Sequence, residues 1–168
     1  GVDEEDERPR ADPKDKIQLH QMIMTAQSKM GRGDKDDSKR LLERVLEQDA
    51  DILDAHQMLG QMAAGDGKAE EAADHFRRAL EIDEAVYGKD HPEVAIDANN
   101  IGQILQDQGD LDGAREAYQR ALAIDEQSYG TEHPDVAIDL NNLAQLLRAT
   151  NRLAEAEPLM RRALAIDE

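Results

Sequence analysis

A chain of 168 residues is long enough for one domain with a sizeable core, yet it offers only four aromatic residues, Phe76, Tyr87, Tyr118 and Tyr129. Its core must be built from Leu, Ile, Val, Met and Ala, which favours packed helices over sheet, because strands are usually rich in aromatic and β-branched residues. A formal charge of −18, from 38 acidic and 20 basic residues, sets the chain against nucleic acid and anionic membrane surfaces as partners.

Cysteine is absent, which excludes disulfides and thiolate metal sites, and no apolar run approaches the length of a spanning helix. Residues 1–15 are dense in charge, carry Pro9 and Pro13, and are expected to be disordered or extended by themselves. The chain opens on Gly1 without a signal-peptide pattern. That start suggests a cleaved tag or an excised fragment and leaves the compartment open, a cytoplasmic one being favoured.

From Lys16 onward the pattern is helical and paired. Helices are expected at 16–30 and 35–48, 52–64 and 68–87, 92–108 and 111–129, and 134–149 and 152–168, with Gly31, Gly33, Gly65, Gly67, Gly88, Gly109 and Gly130 between or at the ends of them. Apolar residues recur at helical spacing, as in Ile101, Ile104, Leu105 and Leu143, Leu146, Leu147. Short glycine-bearing connections imply antiparallel neighbours.

The chain repeats itself. Its last six residues, Ala163 to Glu168, occur also as Ala121 to Glu126 and, with Glu81 as the one change, as Ala79 to Glu84, at a spacing of 42 residues. Such a period is the mark of a solenoid whose units bury their apolar faces against one another. The second helix of each late unit carries a small, large, small series: Ala72, Phe76, Ala79; Ala114, Tyr118, Ala121; Ala156, Met160, Ala163. Twelve residues before each first alanine stand Gly60, Gly102 and Ala144, preceded by Leu59, Ile101 and Leu143.

These residues resemble the tetratricopeptide repeat, a helix-turn-helix unit of about 34 residues. The resemblance covers residues 16–168 as four repeats, 16–50, 51–84, 92–129 and 134–168, and implies an all-α solenoid of four antiparallel helix pairs in a right-handed superhelix. The second repeat fits best, with His56 in place of the family's Trp and Ala63 in place of its Tyr. The first is degenerate, with Ala26 for Gly and Ser38, Leu42 and Val45 for Ala, Phe and Ala.

In the last two repeats, the segments Tyr87 to Pro92 and Tyr129 to Pro134, with Asn99-Asn100 and Asn141-Asn142, resemble the longer kinesin-light-chain type. Here Gly88 and Gly130 are expected to be left-handed residues closing helices, and Pro92 and Pro134 suit the first helical position. Residues 1–84 also resemble repeat tails of some bacterial sulfatase-like enzymes, through Asp12 to Ile17, without a sulfatase catalytic domain. The change of period and the stop inside a helix fit a natural fragment or an engineered fusion of two repeat segments.

No catalytic constellation emerges. His91 and His133, each before a proline, suit helix caps, while His20, His56 and His75 lack metal-ligand spacing. Asp34 to Asp37 lack the central Gly of a calcium loop, and Gly65-Asp66-Gly67-Lys68 lacks the Ser or Thr of a phosphate loop. The chain reads as no enzyme and needs no cofactor.

The resemblance places functional side chains on the first helix of each repeat, which lines the concave face. Gln27, Gln61, Gln103 and Gln145 stand at equivalent positions, with Met24, Met58, Asn100 and Asn142 three residues earlier and Asp107 and Arg148 flanking. Amides can satisfy the backbone of an extended peptide without much charge, whereas a clamp for a terminal carboxylate needs more than Arg148. The expected partner is a protein or peptide, neutral or basic rather than acidic. The alternative is a repeat scaffold without native ligand, self-associating through its last helix by Leu159 and Ile166.

Overall fold

A computed structural model describes residues 12–167. Among them lie eight α-helices and no strand: α1 (Pro13–Gly31), α2 (Lys35–Gln48), α3 (Leu53–Gly65), α4 (Ala69–Tyr87), α5 (Pro92–Asp107), α6 (Leu111–Tyr129), α7 (Pro134–Ala149) and α8 (Leu153–Asp167). The chain divides inside α3 into two compact units, one up to Ala55 and one from His56. Helix positions agree with the sequence reading to within a few residues. One boundary is corrected: α1 starts at Pro13, inside the segment expected to be extended. Asp12 caps it, its carboxylate accepting from the Lys14 amide at 3.0 Å. The rest of that segment lies outside the described residues.

In the first unit α1 packs on α2. Leu19, Ile23 and Ala26 from α1 and Leu42 and Val45 from α2 are buried. Ser38, where the repeat pattern has alanine, is fully buried as well, and its hydroxyl donates to the Ala26 carbonyl at 2.9 Å. That bond satisfies a hydroxyl whose burial would otherwise be unfavourable.

In the second unit α4 to α8 stack each on the next. The apolar positions of consecutive helices meet in separate small clusters. One joins Phe76 to Ala72, Ile101 and Ile104; another joins Tyr118 to Ala114, Leu143, Leu147 and Ala156. The small residues have a definite purpose. A Cβ built on Gly102 would stand 2.7 Å from the Tyr118 ring, and one on Gly60 would stand 3.0 Å from Phe76. The aromatic rings of α4 and α6 therefore lie directly on the backbones of α3 and α5. Met160, the equivalent large residue of α8, is 40% exposed.

The ends of the long helices follow from their loops. His91 and His133 cap α5 and α7, each accepting from the backbone amide two residues on at 3.2 Å, and each stacks on the preceding tyrosine, Tyr87 or Tyr129. Gly88 and Gly130 have φ of 92° and 85°, but with ψ of 161° and 168°. They are extended at positive φ rather than left-handed helical, which corrects the expectation. That region is essentially closed to any residue with a side chain.

Self-association by Leu159 and Ile166 is also corrected in its residues. Both pack inward, Leu159 against the two clusters under α8 and Ile166 against Val136, Ala137 and Leu140. The exposed large apolar residues of α8 are Leu153, Met160 and Leu164.

Gly65 and Gly130 both have open space where a Cβ would go, and only Gly130 has positive φ. Gly130→Ala should thus destabilise by about 1–3 kcal/mol, while Gly65→Ala should be neutral or stabilise by about 0.5–1 kcal/mol. Urea unfolding of the two variants beside the parent measures the difference.

Candidate functional site

α5 and α7 are equivalent helices of consecutive repeats, and each turns one stripe outward. On α5 it runs Glu93, Ile96, Asn100, Gln103, Asp107; on α7 it runs Asp135, Ile138, Asn142, Gln145, Arg148. Steps of three and four residues keep each series on one face. Ile96 and Ile138 are 52% and 55% exposed, unlike the other isoleucines of these helices, Ile101 and Ile104. Between the helices lies a groove of about 270 Å³, lined from α5 by Ile96, Asn99 and Asn100, from α6 by Asp125 and Tyr129, and from α7 by Asp135, Ile138 and Asp139.

The expected site residues distribute unevenly over this surface. Asn100 lines the groove. Asn142 is half-buried and its side-chain amide donates to Asn99 Oδ1 at 3.3 Å, which ties α7 to α5. Gln103 and Gln145 are exposed farther along, and the Gln103 side-chain amide donates to the Asp107 carboxylate at 3.1 Å. Arg148 is exposed at the end of α7, and Gln61 is exposed on α3. Met58 is buried to 7% exposure and belongs to the core, not to an open face. Met24 and Gln27 are exposed on α1, in the other compact unit.

Four buried aspartates were missed by the sequence reading. Asp83 and Asp97 are fully buried, as is Asp139, and Asp125 is 5% exposed. They form two carboxyl pairs, Asp83 with Asp97 and Asp125 with Asp139, displaced from each other by one 42-residue repeat. Each pair has one amide donor from the preceding repeat. Gln57 donates to Asp97 at 3.4 Å, and Asn99 donates to Asp139 at 2.6 Å.

Oxygens of all four remain without a donor. An ionised carboxylate only accepts, so two facing carboxylates leave each other unsatisfied until one takes up a proton. Burial, followed by the charge of Asp83, raises Asp97 to about 7. Burial is again the first cause at Asp139, likewise raised to about 7, with the Asp125 charge adding to it. Each pair therefore holds one shared proton until the pH nears neutrality. The signal was present in the pair Ile-Asp at 82–83, 96–97, 124–125 and 138–139, although Ile166-Asp167 repeats it with an exposed aspartate.

His56 and His75, which lack metal-ligand spacing in the sequence, meet each other. Their Nδ1 atoms are 3.0 Å apart across α3 and α4, since an antiparallel pair brings together residues far apart in sequence. Among the described residues no group of three or more His, Asp or Glu is placed to hold a metal ion.

Helix pairs stacked in register, with one polar stripe repeated on successive first helices, define an all-α repeat solenoid of the class that mediates contact between proteins. The tetratricopeptide repeat model matches residues 51–127 and 96–168, and the chain belongs to that family. No curated protein matches it in sequence. Solved structures share the fold. BtubC (BKLC) from P. vanneervenii superposes with a TM-score of 0.81 at 23% identity, over 96% of this chain and 66% of that one. A putative kinesin light chain with nearly identical TPR-like repeats from Podosopora anserina gives 0.76 at 21% identity, over 89% and 74%. MamA gives 0.70 at 18% identity, over 92% and 75%. This chain thus spans just under two thirds of the length of the BtubC chain.

The carboxyl pairs make stability depend on pH. An aspartate in the unfolded chain titrates near about 3.9, whereas Asp97 and Asp139 are raised to about 7 in the fold. Folding therefore takes up protons in that window. The stabilisation is complete below the unfolded value and is lost as the pH rises through the folded one. The parent's urea midpoint should fall between about pH 5 and about pH 8, and the double variant Asp97→Asn, Asp139→Asn should flatten that fall. An equal slope in both proteins would contradict the shared proton.

Proposed function

We propose that this chain is a peptide-binding adaptor module whose ligand is an extended segment lying along α5 and α7. The observation that carries the reading is the doubled stripe. Carboxylate, isoleucine, asparagine and glutamine follow one another on α5, and the same order recurs on α7 one repeat later. A strand-like ligand has its own regular repeat and presents backbone donors and acceptors along its whole length. Side-chain amides supply both kinds of partner.

Asn100 and Asn142 take the central role, since one lines the groove and the other bridges its two walls. The Gln103 carbonyl oxygen and the Gln145 amide continue the row, flanked by Asp107 and Arg148. Gln61 extends it on α3, whereas Met24 and Gln27 belong to the other compact unit and are given no part in this row. The chain's charge of −18 favours neutral or basic ligands over acidic ones. Tetratricopeptide-repeat modules generally mediate protein contacts, and no catalytic step is assigned to this one.

The test is calorimetry with a peptide recovered from a random nine-residue library. Asn100→Ala and Asn142→Ala should each weaken binding by about 0.5–1.5 kcal/mol, roughly two- to tenfold. Basic peptides should associate faster than acidic ones and lose more affinity as salt is added. Unchanged affinity in both folded variants would favour a scaffold without a ligand on this face.

A further inference from the structure

We propose that the groove between α5 and α7 is a receptor for one cationic side chain, a lysine or arginine of the bound segment, seated above the Asp125 and Asp139 carboxyl pair. The inference rests on the peptide-binding reading and names the chemistry of the ligand at one position.

Three independent features point to it. Ile96 and Ile138 form apolar walls that are each more than half exposed, a surface suited to the methylene stem of a long cationic side chain. Glu93 lies on the lining at the first turn of α5 and Asp135 at the first turn of α7, so carboxylates stand where such a side chain enters. At the base, Asp139 Oδ2 and Asp125 Oδ1 are buried without a donor. No lysine or arginine lines the groove. An acidic side chain would be repelled there, and a purely aliphatic one would gain no attraction from the rim carboxylates.

The pair gives the receptor a recognisable signature. With the groove empty, a proton shared between Asp125 and Asp139 relieves their repulsion, and the titration of Asp139 is raised to about 7. A cation above the pair favours its ionised form, so binding releases the proton, and affinity rises with pH through that region. The other groups beside the pair are Asn99 on α5, Tyr129 on α6, and His133 and Asp135 at the start of α7, while Glu93 stands on the groove lining and acts on Tyr129. His133 works in the same direction, because its protonated form also opposes a cation. His133→Asn, which keeps a capping side chain, separates its effect.

Peptides selected from a random nine-residue library on the intact chain should show lysine or arginine enriched at one position. Replacing that residue with norleucine, which keeps the stem and removes the charge, should weaken binding about five- to twentyfold. In the rim double variant Glu93→Gln, Asp135→Asn, the difference between lysine and norleucine should shrink to about twofold or less. Because these two residues lie on the surface side of the groove, this variant carries the test even where a change at Asp139 disturbs folding.

Affinity of the lysine peptide should rise about three- to tenfold from pH 6 to pH 8 in the parent; His133→Asn should keep most of that rise, and adding Asp139→Asn to it should abolish what is left. Peptides that depend on Asn100 and Asn142 but bind equally with lysine and norleucine would overturn the receptor and leave the peptide-binding reading standing. Failure to select any peptide, or selected peptides indifferent to Asn100→Ala, Asn142→Ala and the rim variant together, would overturn both.

Discussion

The contact that the second unit depends on is an aromatic ring laid on bare backbone, Tyr118 on Gly102 and Phe76 on Gly60. It fixes how closely the two helices of a repeat approach, because a single added carbon at Gly102 would fall 2.7 Å from the ring. Alanines on either side, Ala114 and Ala121 around Tyr118, are fully buried and keep the same seam narrow. Packing of this kind is strongly sensitive to volume, since interiors are as dense as molecular crystals. Once the inner faces of α5 and α7 are committed to these seams, their opposite faces are left as the outward stripes that form the groove.

Charge is managed by the same repetition. Arg120 on α6 reaches back to Glu84 on α4 at 2.6 Å and to the Lys89 carbonyl at 3.2 Å; Arg162 on α8 makes the equivalent contacts to Glu126 and the Thr131 carbonyl. Each arginine thereby pins the previous second helix and the loop that follows it. These bridges are partly exposed and individually modest, but they hold the loops whose histidines cap α5 and α7. The aspartate pairs oppose them energetically. Two buried carboxyls with one amide donor are an unfavourable arrangement for packing alone, and both pairs sit between the same kinds of helices.

Most of the fold was readable in the chain because the repeat states each instruction several times. Gly60 and Gly102, Phe76 and Tyr118, and Pro92 and Pro134 each announce the same local structure twice. Ser38 was readable only as a departure, and its bond to the Ala26 carbonyl explains why the departure is tolerated. The geometry at Gly88 and Gly130 was half legible: a positive φ follows from glycine after a helix, whereas the extended ψ and the stacking of tyrosine on histidine across the turn appear only in the structure.

The candidate site was less legible. Asn100 and Asn142 stood out as polar residues in an apolar helix, but Ile96 and Ile138 carried no sign that they face outward, because isoleucine in a helical pattern reads as core. Asp97 and Asp139 failed in the opposite sense, reading as surface charge. Only the packing of α6 against α7, and of α4 against α5, turns them inward and against a second carboxyl. Met58 was misplaced for a related reason, since half a turn separates the buried face of α3 from its exposed one.

The central claim is that ligands meet this chain on the outward stripes of α5 and α7. Isoleucine δ-methyl NMR tests it most directly, because Ile96 and Ile138 lie in the groove while Ile101, Ile104 and Ile124 are buried beneath the helices. Titration with a selected peptide should move the Ile96 and Ile138 methyl signals most, together with the side-chain amides of Asn100 and Asn142. Shifts confined to Ile166 of α8, with Ile96 and Ile138 unmoved, would contradict the account.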